Sequence, residues 1–222
     1  MIPVITIDGP SGTGKGTVAA VLAERLGWHC LDSGALYRVL GLAAELGGLN
    51  SDQPEPLAEL AGRLPLRFTD GRVLLDGDDV TDTIRTETAG MAASRVSVHP
   101  QVREALLAWQ RDAARAPGLV ADGRDMGTVV FPRAPLKVFL DASAEERAIR
   151  RYKQLKEKGL GANLPALLTD IRARDERDRN RAVAPLKAAD GALVLDTTDL
   201  SVTEVTDRVL QEVSRLFPDL VF

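Results

Sequence analysis

Nine residues near the start of the chain, Gly9 to Thr17, read GPSGTGKGT. Glycines at this density let backbone N–H groups turn inward without Cβ clashes and form a cradle for an anion. A β-branched run, Val4 to Ile7, precedes the loop, and a helical pattern from about Lys15 to Leu26 follows it. Strand, glycine loop and helix in that order make a phosphate-binding loop, with the positive end of the helix aimed at the phosphates. Gly9, Pro10, Ser11, Gly12, Thr13, Gly14, Lys15, Gly16 and Thr17 are therefore the expected contacts of a nucleoside triphosphate. Lys15 can reach its β- and γ-phosphates, and magnesium needs a hydroxyl. The strict pattern has Ser or Thr directly after the lysine. Gly16 stands there instead, so the hydroxyl falls to Thr17, with Thr13 a second candidate.

Three more constellations carry charge in places that ask for a ligand. Asp122 to Thr128 reads DGRDMGT after the apolar run Leu119 to Ala121. Two aspartates, an arginine and two glycines at a strand's end are costly unless something binds there. Asp122 is placed to hold magnesium through water, and Arg124 can fork onto a phosphate. The plainer reading is a tight turn that satisfies its own polar groups. Asp32 to Arg38 reads DSGALYR, where Ser33 is a helix cap or a ligand contact and Arg38 a surface arginine or a phosphate contact. Arg174, Asp178 and Arg181 are spaced by four and three, so one helix face presents all three. That face is either a clamp for an anion and a sugar hydroxyl or a solvated ion-pair ladder.

Something must position these groups. Apolar runs of strand length recur at Val4 to Ile7, Trp28 to Leu31, Leu119 to Ala121, Leu136 to Leu140 and Leu193 to Leu195. Helical patterns separate them, so the expected fold is α/β with a parallel sheet, and ligands gather at the carboxyl ends of its strands. Each run ends in aspartate, at Asp8, Asp32, Asp122, Asp141 and Asp196. For Asp141 and Asp196 the preferred role is a helix N-cap. Two segments interrupt the alternation. Leu64 to Val80 carries Asp-Gly at Asp70-Gly71 and Asp76-Gly77, a hairpin signal. Ser143 to Arg181 reads as a charged helix pair broken around Gly159 and Gly161, opened by a Ser143–Glu146 capping box and suited to a moving lid.

Composition narrows the partners. The 222 residues are 45% hydrophobic and 27% charged, as in a protein with a real core, and the formal net charge is -4. An acidic chain is a poor match to nucleic-acid phosphates. The single cysteine, Cys30, sits in an apolar-looking stretch and excludes an internal disulfide, which fits a reducing compartment. No run approaches the roughly 18 apolar residues of a membrane span, and the first residues read as a strand rather than a signal peptide. A cytoplasmic monomer without nucleic-acid or membrane partners is expected. His29 and His99, the only histidines, read as structural.

The set GPSGTGKGT, DSGALYR, IRTETAG, VREALL, ADGRDMGTVVFP and RDRNRAVAPL closely resembles the bacterial cytidylate kinases, in order and along nearly the whole chain. The Gly-Lys-Gly-Thr ending of the loop is the form seen in nucleoside monophosphate kinases, and no Asn-Lys-x-Asp guanine reader of a GTPase is present. The resemblance implies a P-loop NTPase fold, a five-stranded parallel sheet flanked by helices with a small antiparallel β insert that binds the monophosphate and a helical lid. It implies one kinase domain over 1–222, with core about 1–46, 98–142 and 182–222, insert about 47–97 and lid about 143–181. It implies ATP and Mg2+, with CMP or dCMP as acceptor. By position, Ser33, Arg103 and Asp125 would read cytosine, Arg38 and Arg124 would hold the CMP phosphate, and Ser94, Arg174 and Asp178 would meet the ribose. Arg181 would meet the acceptor or the transferring phosphoryl group, and Arg150 would cover the ATP base. Lys15, Arg124, Arg181 and Asp122 would be the catalytic set.

The chemistry of the base is consistent with that set. Cytosine offers an N4 amine beside the N3 and O2 acceptors, which suits the acceptors Asp125 and Ser33 and the donor Arg103. Uracil reverses the pattern at O4 and N3, and each opposed pair costs about 1–3 kcal/mol.

Overall fold

The computed structural model describes residues 2–69, 71–157, 159 and 161–218. In chain order the elements are β1 (Val4–Asp8), α1 (Lys15–Leu26), β2 (His29–Asp32), α2 (Ser33–Leu46), α3 (Pro54–Gly62), β3 (Leu66–Thr69), β4 (Arg72–Leu75) and β5 (Asp78–Asp79). A 3-10 turn, Thr83–Arg85, leads to α4 (Glu87–Val96), α5 (Pro100–Asp112) and β6 (Leu119–Gly123). After a π-helical turn, Met126–Val130, come β7 (Leu136–Asp141), α6 (Ala144–Glu157), α7 (Leu164–Arg179), β8 (Leu193–Asp196) and α8 (Val202–Leu216). Backbone proximity divides the chain into two compact units. One holds the residues up to Leu31 and from Ala113 onward, and the other is Asp32–Asp112.

The first unit is built on a five-stranded parallel sheet in the order β2-β6-β1-β7-β8, the architecture that the alternating pattern predicts. Every residue of β1 is buried, since it lies between β6 and β7 with α1 and α8 over its Ile5 and Ile7 face and the turn Met126–Val130 against Thr6 and Asp8. Ile5, Ile7, Val120, Val138 and Leu140 of the sheet share one core with Val18 and Leu22 of α1 and Val205, Val209 and Val213 of α8. Register sets Asp8 opposite Gly123 and Asp141 opposite Asp196, so Asp8, Asp122, Asp141 and Asp196 collect at one edge. The outer strands depart from the buried pattern. Cys30 and Val194 are exposed, because an edge strand has a neighbour on one side only, and Cys30 is not in an apolar setting.

Two cap assignments are corrected. Asp141 accepts the N–H of Ala142 and Asp196 accepts both the N–H and the hydroxyl of Thr198, so each closes a local turn. The caps belong to Ser143 for α6 and to Ser201 for α8, where Ser201 and Glu204 form the complete capping box. At α6 only half a box forms. Glu146 turns to Arg150, and the Ser143 N–H donates to the Thr198 hydroxyl. The helix pair does break where the glycines predict, with Gly159 in the left-handed region at φ 70° and Asn163 capping α7.

In the second unit β3, β4 and β5 form the antiparallel sheet, with Leu66 opposite Leu75 and Leu74 opposite Asp79. Asp76 and Gly77 both have positive φ, 51° and 91°, the geometry of a tight hairpin turn. Of the other expected turn, Gly71 has φ 74° and Asp70 lies outside the described residues. The unit is wider than the hairpin segment, because Leu36 and Leu40 of α2 and Val102 and Leu106 of α5 share a core with Leu57 and Val96.

Candidate active site

The loop Gly9 to Thr17 follows β1 directly and runs into α1. Gly9, Gly12 and Gly14 have φ 146°, 84° and 88°. A Cβ at Gly9 would lie 2.0 Å from the Leu140 carbonyl oxygen, so only glycine lets the loop leave the sheet this close to β7. The first turn of α1 has no side-chain cap and no acidic residue, which leaves its N–H groups and positive end directed at the loop. Lys15 is 7% exposed, and its ammonium donates to the Pro10 carbonyl at 2.8 Å. Burial, with Arg124 and then Arg174 nearby, brings its pKa down to about 7 against the pull of Asp122 and Asp8. Among the hydroxyls, Thr13 is buried and donates to the Pro10 carbonyl at 3.1 Å, while Thr17 is exposed.

The loop is anchored from behind by a residue the sequence reading passed over. Arg147 of α6 is 2% exposed. Its guanidinium donates to the carbonyl oxygens of Ala142 and Ser11 at 3.0 Å each and forms a two-pronged pair with Asp175 of α7. Its Cβ is 3.0 Å from where a Cβ at Gly12 would sit, so α6 packs directly on the loop. One turn further on, Arg150 donates to Glu146 and to the carbonyls of Thr197 and Thr198. Thr197 Oγ1 lies 3.3 Å from the Thr13 carbonyl, so the turn after β8 abuts the loop as well.

At the end of β6 the DGRDMGT turn is held by Asp8. The buried carboxylate accepts the N–H groups of Met126 and Gly127, both at 2.8 Å. Burial raises the Asp8 carboxyl to about 6, although those two N–H bonds oppose the rise. Asp122 is buried, with Oδ2 3.4 Å from where a Cβ at Gly16 would sit. Asp125 is buried beside it, and its carbonyl accepts from Val129 and Val130. Arg124 Nε donates to Asp178 Oδ2 at 2.9 Å. Burial pushes Asp178 upward, but Arg124, Arg181 and Arg174 outweigh it and hold its carboxyl below the ordinary value. The expected single helix face is thus modified. Arg174 and Asp178 belong to α7, which ends at Arg179, and Arg181 lies beyond it with Nε 3.3 Å from the Asp178 carbonyl.

The other unit carries Ser33, Arg38, Ser94 and Arg103. Asp32, not Ser33, caps α2, by accepting the Ala35 N–H at 2.8 Å. Ser33 is buried and donates to Gln110 Oε1 at 2.7 Å. Arg103 donates to the Ser97 carbonyl at 3.2 Å and lies 5.6 Å from the centre of the Tyr37 ring. Ser33 and Tyr37 are four apart on α2, and Gln110 and Arg103 seven apart on α5, so the two contacts are successive rungs between one face of each helix. Arg38 donates to the carbonyls of Ile84 and Thr86 at 2.8 and 2.9 Å, and its Nη2 is 3.1 Å from where a Cβ at Gly90 would sit. Ser94 Oγ is buried with no hydrogen-bond partner among the described residues.

Residues 5–215 match the family model described as cytidylate kinase. The chain is 59% identical over 213 residues to a cytidylate kinase of Colwellia psychrerythraea, covering 94% of both chains. It is 61% identical over 218 residues to a cytidylate kinase of Pseudomonas fluorescens, covering 96% of this chain and 95% of the relative. The chain belongs to the cytidylate kinase family. Among solved structures, an uncharacterized protein from Eubacterium ventriosum shares the fold with a TM-score of 0.54 at 14% identity, over 97% of this chain and 99% of that one.

Within this kinase family frame, Arg147, Asp175 and Gln110 are the residues the sequence did not single out. Arg147 and Asp175 sit in runs of charge that read as solvated helix faces, and Gln110 in an ordinary amphipathic helix. Among the described residues, their one legible signal is that each places a polar group where helical spacing predicts the buried side. His29 and His99 hold the carbonyls of Ala116 and Ser51, as structural histidines do. No described helix is long and apolar enough to cross a membrane.

Proposed function

We propose that this chain transfers the γ-phosphate of ATP to CMP or dCMP, giving ADP and CDP or dCDP. The observation that carries the reading is the uncapped start of α1 beside the buried Lys15, in a chain that matches the cytidylate kinase family over residues 5–215. The loop Gly9 to Thr17 takes the triphosphate. The anions it brings restore the charge on Lys15, whose ammonium then stabilises the β- and γ-phosphates. Arg38 and Arg124 take the acceptor phosphate, Ser94, Arg174 and Asp178 the ribose, and Arg181 the phosphoryl group in flight. Arg150 covers the ATP base.

No general base is required. The acceptor phosphate has a second pKa of about 6, so near pH 7 it is already a dianion able to attack the γ-phosphorus in line. The residues present fit magnesium, since Asp122 is a buried carboxylate beside Gly16, Thr17 presents a hydroxyl in the first turn of α1, and oxygen donors suit this hard cation. Asp122 through water and Thr17 would hold it, and when bound it neutralises charge developing on the phosphates. The segment about 143–181 serves as the lid that excludes water, and the segment about 47–97 belongs to the monophosphate side.

Ser33 and Asp125 accept from the cytosine amine, while Arg103 donates to N3 and O2. The test is ADP release with CMP, dCMP, UMP and AMP as acceptors. CMP and dCMP should turn over well and UMP and AMP poorly. Equal rates for CMP and UMP would remove the base assignment, and no release with CMP would remove the whole reading.

A further inference from the structure

The contact between Ser33 and Gln110 has a direction. Gln110 is 2% exposed, so its amide meets no water. Its Nε2 donates to the Leu106 carbonyl at 3.3 Å. A carbonyl can only accept, so the amide cannot flip without setting two acceptors face to face. Oε1 is therefore turned to Ser33, and an amide oxygen can only accept as well. The 2.7 Å contact must use the Ser33 proton. What Ser33 has left to offer is a pair of lone pairs.

We infer that Gln110 is a positioning residue for specificity, which holds Ser33 as an obligate hydrogen-bond acceptor and so selects a pyrimidine carrying a 4-amino group over one carrying a 4-keto group. The inference rests on the reading of Ser33 as a contact of the cytosine amine. With cytosine, N–H, Oγ–H and Nε2–H all point the same way and end on the Leu106 carbonyl, and bonds aligned in a chain strengthen one another. With uracil, O4 faces Ser33 lone pairs. The hydroxyl could turn to it only by abandoning Gln110 Oε1, and a buried acceptor without a donor is penalised. A serine alone would serve either base, because its hydroxyl rotates. The glutamine behind it takes that freedom away.

The readout is the ratio of kcat/KM for CMP to that for UMP, and the double variant separates loss of the Gln110 acceptor from a shift of Arg103 on the same helix. Gln110→Met removes the acceptor and keeps the side chain's length, and should lower the ratio about tenfold, with UMP gaining. Ser33→Ala should also lower it about tenfold. In the Ser33→Ala background, Gln110→Met should change the ratio no further. Gln110→Glu, as the neutral acid favoured by burial, puts an O–H on the Leu106 carbonyl in place of Nε2–H, keeps an acceptor oxygen toward Ser33 and should hold the ratio within about twofold of the parent. Should Gln110→Met not fold, Gln110→Asn, which draws the amide oxygen back by one methylene, is judged by the same criteria. A ratio unmoved by loss of the Gln110 acceptor while Ser33→Ala lowers it overturns the inference and spares the reading of Ser33. So does a fall that persists without the Ser33 hydroxyl. A ratio unmoved by Ser33→Ala removes the reading and the inference together.

Discussion

In the unit that carries the phosphate loop, the candidate charges are ordered by other charges. Arg124 is held by Asp178, Arg147 by Asp175, and Lys15 lies in the joint field of Arg124, Asp122, Arg174 and Asp8. In the Asp32–Asp112 unit, backbone carbonyls and a side-chain amide are among the groups that hold them. Arg38 rests on the carbonyls of Ile84 and Thr86, Arg103 on that of Ser97, and Ser33 on an amide. A phosphate is a charge with little direction, and on the proposed reading Arg124 would meet it from beside the buried Asp178 and Arg38 from two carbonyls. A base is a pattern of donors and acceptors with little charge. Its readers need their directions set, and a hydrogen bond to a carbonyl or an amide sets direction.

That contrast can be broken at four points. Lys15→Ala should cut the rate of ADP release by at least about a hundredfold, the scale of losing one buried donor to developing charge, and a near-normal rate would undo the loop assignment. Arg147→Met leaves Asp175 as a buried carboxylate without its cation and should destabilise the protein by about 3–5 kcal/mol in urea unfolding. Adding Asp175→Leu should recover most of that, and a single variant within about 1 kcal/mol of the parent would mean that the pair does not anchor the loop.

The third point is pH. The Asp8 carboxyl stands at about 6 in the folded chain against 3.8 for the ordinary group. Between those values the folded state keeps a proton that the unfolded state releases, so stability falls as pH rises. The contribution is full below about 4 and gone above about 6, on the order of 3 kcal/mol. Asp8→Asn should flatten the slope of unfolding free energy against pH across that window, and an unchanged slope would contradict it. Ser33 and Gln110, which do not titrate near these values, add no such slope. The smallest effect belongs to the Asp32–Asp112 unit. Gly90→Ala crowds the Arg38 guanidinium at 3.1 Å and should raise KM for CMP about threefold while leaving KM for ATP alone, as measured by steady-state kinetics. A matching change in both constants would blur the division between the two regions.

Much of this was legible without coordinates because it is local. Glycine spacing after a β-branched run announces the phosphate loop, since backbone conformation there depends on the residues themselves. The alternating apolar runs likewise specify a parallel sheet, and the Asp-Gly at Asp76-Gly77 a hairpin turn. Cap assignment was less secure, because Asp32, Ser33, Asp141, Ser143 and Asp196 all carry the oxygen a helix start can use, and the choice depends on where the chain bends.

By itself, then, the amino-acid order determined the fold class, the loop and the pool of arginines and aspartates from which a site is drawn. Only the tertiary structure decided which of those charges are paired and in which direction the hydrogen bonds run. Arg147 meets Asp175 and Ser11, and Ser33 meets Gln110, across long stretches of chain. Burial is what makes such meetings binding, because a polar group cut off from water must take the partner that packing brings to it.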